Sequence, residues 1–161
     1  MLNSSDKTAI IGLGNTLRRD DGIGIHVLAR LQEKFGDKDI LFLNFGIASF
    51  GLVNYISDFK RVLLIDAMDA GLAPATLKIF KINEAVSPIK ENKFSSHELS
   101  LSDLLELCKT LKVSTDVHVA GIQVKDVSYG LEMTKELESA QNKIVEKIGQ
   151  FIFSWELRKK P

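Results

Sequence analysis

Apolar residues along this chain fall into short continuous runs, separated by stretches in which they recur every three or four positions. Thr8 to Leu13 is the first run, short and rich in β-branched residues, and reads as a buried strand. Val27, Leu28, Leu31 and Phe35 then recur at helical spacing and predict a helix. Asp39 or Ile40 to Leu43 is a second short strand ending at Asn44. Phe50, Val53, Ile56 and Phe59, three residues apart, predict a short helix within Ala48 to Phe59. Arg61 to Ile65 is a continuous apolar run of the kind found in central parallel strands, with Asp66 at its C-terminal end and a turn around Pro74 beyond. Thr76 to Ile82 alternates apolar and basic residues, which suits an edge strand. Asn83 to Ser96 contains Pro88, lacks periodicity and predicts a long loop, a feature often tied to function. Leu101, Leu104, Leu105, Cys108 and Leu111 mark a helix, and Thr115 to Ile122 a strand. Met133, Leu137, Ala140, Ile144, Ile148, Phe151 and Trp155 form the strongest helical pattern. Strands alternating with helices predict an α/β fold, a three-layer sandwich with a mainly parallel twisted sheet of about five strands and helices on both faces.

Composition narrows the function classes. At 161 residues, with no repeat or linker, a single domain over 1–161 is expected. Lys plus Arg and Asp plus Glu are 21 each, and a chain without net charge is not built to bind nucleic acid or an anionic membrane. Cys108 is the single cysteine, so no internal disulfide and no zinc–thiolate cluster can form. The polar Met1 to Lys7 segment is expected to fray. Nothing resembles a signal peptide or a membrane span, so a cytoplasmic protein without membrane insertion is expected.

The chemistry concentrates between Ile10 and Gly24, where a strand runs through Gly12-Leu13-Gly14-Asn15 into Asp20-Asp21-Gly22-Ile23-Gly24. Gly12 and Gly14 are expected to allow a tight turn and to clear the space above the strand. Asp20 and Asp21 fall near the first turn of the next helix, where free N–H groups and the dipole favour carboxylates. One can cap the helix while the other projects outward. Leu17 breaks the dinucleotide fingerprint, and Asp-Asp-Gly stands where a phosphate loop needs Gly-Lys-[Ser/Thr]. Two carboxylates would repel phosphate, so a cation site is the better reading. Ligands of open α/β sheets sit beyond the carboxyl ends of the strands, and Asp66 reaches that edge if its strand runs parallel to the first. Ser95-x-x-Glu98 reads as a capping box with His97 in the first helical turn. Taken singly, Asp66 is a turn residue and His97 an exposed helix-start histidine. His26, His118 and Cys108 read as structural. Glu84 and Glu91 lie in the loop, and Glu98, beside His97, reads as a solvated or capping acid rather than as a general base acting by proximity. Leu101 rules out a zincin motif, and no nucleophile elbow occurs.

Gly12-Leu13-Gly14-Asn15, Asp20-Asp21 and Gly22-Ile23-Gly24, with His97-Glu98-Leu99 and Gly121-Ile122-Gln123, resemble the nickel-iron hydrogenase maturation endopeptidases over roughly Ala9 to Ser154. The resemblance implies an endopeptidase, of aspartyl or metal-assisted type, that removes the C-terminal extension of a hydrogenase large-subunit precursor after nickel insertion. It implies Asp21, Asp66 and His97 as both nickel ligands and catalytic centre. Two carboxylates and an imidazole suit a borderline ion such as nickel, delivered by the precursor, with other divalent ions able to substitute. In some members a Glu stands where this chain has Asp21. Asp20 is then a helix cap or support, and Asn15 holds the turn or orients a ligand. The chain departs from the family where Asn44-Phe45-Gly46 replaces the usual Asp-Gly-Gly. Two alternatives stand beside this reading: a nickel-sensing chaperone that binds the precursor without cutting, and a peptidyl-tRNA hydrolase. The latter also begins with a strand running into Gly-Leu-Gly-Asn, but here it lacks its Pro-Gly, its Thr-Arg-His-Asn segment and a basic face.

Overall fold

The computed structural model describes residues 7–36, 39–47, 50–82 and 101–157. Among the described residues, the helices and strands are, in order, β1 (Thr8–Leu13), α1 (Ile23–Phe35), β2 (Ile40–Gly46), α2 (Gly51–Ile56), β3 (Arg61–Met68), β4 (Leu77–Lys81), α3 (Leu101–Thr110), β5 (Asp116–Gln123) and α4 (Lys135–Leu157). The strands form one five-stranded sheet in the order β2-β1-β3-β5-β4. All pairings are parallel except the one between β4 and β5. The antiparallel strand is the alternating Leu77–Lys81 segment, and it lies at the sheet edge as expected.

Strand pleating divides the core between two faces. Ala9, Ile11, Leu13, Val62 and Leu64 pack with Leu52, Val53 and Ile56 of α2 and with Leu104 and Cys108 of α3. Ile10, Leu63 and Ile65 pack with Val27, Leu28 and Leu31 of α1 and with Ile144, Ile148 and Trp155 of α4. A sheet buried on both sides needs apolar residues at consecutive positions, which is why β1 and β3 read as unbroken runs. The outcome is the three-layer α/β sandwich read from the periodicity.

Some boundaries differ from expectation. The Asn83–Ser96 loop and the Ser95-x-x-Glu98 capping box lie outside the described residues. The helix expected over Ala48 to Phe59 is shorter, and Phe50, part of its spacing, is exposed. Leu111 follows α3 and is also exposed. β3 does not stop at Ile65 but continues to Met68, because Asp66, Ala67 and Met68 pair with Gly121, Ile122 and Gln123 of β5. Asp66 is therefore a strand residue, 4% exposed, and not a turn residue.

The order of connections matters for function. The chain leaves β1 through α1 to reach β2 on one side, then returns through α2 on the other face to β3 on β1's far side. Between β1 and β3 the direction of winding reverses, and loops after these strands diverge to open a crevice.

Candidate active site

Asp21 and Asp66 flank that reversal point. Asp21 lies in a single 3-10 turn, Arg19–Gly22, between β1 and α1. The turn holds because Gly14 and Gly24 permit contacts that no side chain would. A Cβ on Gly14, where φ is +141°, would lie 2.1 Å from the Asp21 carbonyl oxygen, and one on Gly24 would lie 2.3 Å from Leu13 O and 2.4 Å from Ile65 O. A Cβ on Gly12 would meet Gly24 O and Leu28. These glycines bring α1 down onto the strands, correcting the expectation that they clear space above β1.

The two adjacent aspartates face different partners. Neither caps a helix: the 3-10 turn and α1 both lack a side-chain cap. The fully buried Asp20 carboxylate instead accepts hydrogen bonds from the segment joining β5 to α4. Asp21, 7% exposed, accepts from the Asn15 N–H at 3.0 Å. The Asn15 side chain accepts from Leu17 N–H, so it holds the turn.

Asp66 accepts from the Ala67 N–H at 2.8 Å. Burial pushes its carboxyl up to about 8, and the Asp21 charge adds to the rise against the Ala67 hydrogen bond. The structure thus brings Asp21 and Asp66 within electrostatic reach of one another. Two carboxylates that oppose each other's ionisation in a buried setting form an arrangement that a divalent cation relieves. Among the described residues no group of three His, Cys, Asp or Glu side chains could hold a metal. The expected third ligand, His97, lies outside the described residues, as do Glu84, Glu91 and Glu98.

The other candidates sit elsewhere. His26 is on the exposed face of α1. His118 packs against Phe151 and Trp155, 3.6 Å from Asp116. Cys108 is buried in the core, and burial pushes its thiol up, away from the reactive thiolate.

A cleft of about 490 Å³ opens beside Asp21. Its lining comes from the ends of three parallel strands: Arg18 and Asp21 after β1, Ala67 and Asp69 at the end of β3, and residues 124–128 after β5. Buried Gln123 ties two of these loops, accepting from Ala70 and Leu72 N–H and donating to Asp69 and Val124 O. Sequence reasoning missed Arg18, Asp69 and the Lys125–Ser128 wall. The signal was available: a polar stretch directly after a buried parallel strand lines the crevice in this architecture. On the far side of β1, Gly46 O accepts from Gly14 N–H at 2.9 Å, so Asn44-Phe45-Gly46 abuts the glycine turn. Asn44 is exposed and accepts from Gly46 N–H.

A sequence model of HycI, the hydrogenase maturation protease, matches residues 25–150. The chain belongs to the hydrogenase maturation protease family. The hydrogenase expression/formation protein HoxM of Cupriavidus necator is 26% identical over 148 residues, covering 90% of this chain and 73% of HoxM. HupM of Azotobacter chroococcum is 31% identical over 108 residues, 66% of this chain and 52% of its own length. The chain therefore spans between about half and three quarters of these relatives. The hydrogenase maturating endopeptidase HybD from E. coli shares the fold, with a TM-score of 0.73 at 22% identity over 88% of this chain and 89% of HybD. The hydrogenase maturation protease HycI from Thermococcus kodakarensis has a TM-score of 0.70 at 25% identity over 89% and 90%. Family membership removes the peptidyl-tRNA hydrolase alternative. Among the described residues, no helix is long and apolar enough to cross a membrane.

Proposed function

We propose that this maturation protease removes the C-terminal extension of a nickel-iron hydrogenase large-subunit precursor after nickel has been inserted. The observation carrying the proposal is the coupled Asp21–Asp66 pair, whose Asp21 lines an open cleft at the carboxyl edge of the sheet. Mutual repulsion and burial make this pair a poor resting place for two negative charges and a good one for a cation.

Asp21, Asp66 and His97 would add their donors to a nickel ion that arrives on the precursor, and the cleft would seat the chain near the scissile bond. An ion held there supplies Lewis acidity at the carbonyl or an activated water. Asp66 must give up its proton to serve as a donor, so engagement is coupled to proton release. Carboxylates and an imidazole without a thiolate form a modest nickel site, whereas cysteines of the precursor hold the ion firmly. Nickel occupancy of the substrate then controls the encounter.

Offering the protein nickel-loaded and nickel-free precursor, and following loss of the C-terminal peptide by mass, tests this reading. Cleavage of the loaded form alone, abolished in Asp21→Ala, is the expected result. Equal cleavage of both forms would point to an ordinary peptidase mechanism. Binding without any change in precursor mass would identify a nickel-sensing chaperone instead.

A further inference from the structure

We infer that Asp20 is a positioning residue for the substrate cleft: it fastens the segment between β5 and α4 so that its first half stands as a fixed wall against the precursor chain. The inference rests on the function proposed above. It extends that function to a buried acid that the Asp21–Asp66–His97 chemistry does not use.

Residues 124–134 contain no regular secondary structure, yet five cleft-lining residues, Val124 to Ser128, belong to this segment. Asp20 is completely buried beneath it. Its Oδ2 accepts from Lys125 N–H at 2.9 Å, Asp126 N–H at 3.0 Å and the Thr134 hydroxyl at 2.9 Å. Its Oδ1 accepts from Thr134 N–H at 2.8 Å, and its own N–H donates to Asp126 O at 3.1 Å. One carboxylate thus grips both ends of the connection. A second strap lies between them, where Gly130 N–H donates to Leu17 O and Arg19 N–H donates to Gly130 O, each at 2.9 Å.

A carboxylate suits this position because it offers only acceptors, and every group aimed at it is a donor. An amide does not. However Asn would turn at position 20, its NH2 group would face a backbone N–H, leaving a buried donor unsatisfied. Asp21, by contrast, is held from the other side by Asn15 N–H and by the packing of the glycine turn. Loosening Asp20 should therefore free the wall while leaving the carboxylate pair standing. Substrate affinity should fall, and turnover of bound substrate should not.

The test compares the full-length protein with Asp20→Asn and Thr134→Val, using nickel-loaded precursor. KM and kcat come from released peptide mass, affinity from a direct binding assay, and wall mobility from amide hydrogen exchange. Asp20→Asn is expected to raise KM and the dissociation constant roughly tenfold or more, with kcat at saturation within about threefold. Exchange should accelerate within residues 125–134. Thr134→Val, which removes one of the four bonds, should move every readout the same way by less, and it carries the test should Asp20→Asn fail to fold. Faster exchange with unchanged KM and affinity would overturn the inference, as would a fall in kcat at constant KM. If the unmodified protein binds precursor without cutting it, the proteolytic reading fails while the affinity ratio still decides the role of Asp20. If it neither binds nor cuts, both fall together.

Discussion

Asp66 couples the folding of this chain to pH. Its carboxyl holds a proton up to about pH 8 in the folded chain, because burial and then the Asp21 charge oppose ionisation, against an ordinary value of 3.8. Between those two values the folded state keeps a proton that the unfolded state has released. Stability from this group is fully present below the lower value and is lost as pH rises through the upper one, by at most about 1.4 kcal/mol per pH unit. Asp66→Asn mimics the protonated acid and removes that dependence. Its stability relative to the parent, from denaturant melts, should climb between pH 5 and pH 8.5, while precursor processing is lost at every pH. A pH-independent difference would refute the account by burial and repulsion. Had Asp66 stood on an exposed turn, no such dependence would exist. His97→Ala should likewise abolish processing, with an unchanged melting temperature.

At the level of elements, the β1–α1 unit depends on backbone approach more than on side-chain contacts. Gly24→Ala would drive a Cβ into two main-chain oxygens, Leu13 O and Ile65 O, that belong to the central strands and have little freedom to yield. The expected loss is about 3 kcal/mol or more, at the upper end of overpacking effects, and a urea titration measures it. α3 offers the opposite case. Cys108 is 5% exposed against Leu104 and the sheet, so Cys108→Ser should lower stability by about 1–2 kcal/mol through an added buried hydroxyl and leave processing intact below the melting transition. An inactive Cys108→Ser protein of normal stability would restore the thiol as a nucleophile. The glycines and the tight turn at Gly14 were legible from spacing, but the close approach at Gly12 and Gly24 was not, since only the packed helix shows what a Cβ would strike.

For the whole molecule, the proposed function makes the protease a partner that completes a site and not one that stores metal. Purified protein loaded with nickel and then desalted should retain far less than one ion per chain by metal analysis, whereas a mixture with nickel-loaded precursor should retain the ion. Tight stoichiometric retention by the protease alone would remove substrate occupancy as the controlling step. The site sits where three loops meet, after β1, β3 and β5, and Gln123 and Asp20 each tie one loop to another. Mutational effects across this region should therefore be coupled, because neighbouring residues share partners.

Local pattern alone determined the α/β class, the mostly parallel sheet, the edge position of the Leu77–Lys81 strand and the spacing of the glycine–aspartate turn, whereas the antiparallel direction of that edge strand came from the structure. Each of these follows from short-range rules: the two-residue period of strands, the 3.6-residue period of helices and the special backbone freedom of glycine. The sequence also marked Asp21 and Asp66 as a pair worth joining. Only the tertiary structure decided that Asp66 is a buried strand residue, because the length of β3 is set by its partner β5. It likewise decided that Asp20 fastens a segment more than a hundred positions away. The proton held by Asp66 and the wall formed by residues 124–128 are likewise tertiary properties. Desolvation, charge proximity and hydrogen bonds across long sequence separations arise when the chain closes on itself, and they leave no periodic trace along it.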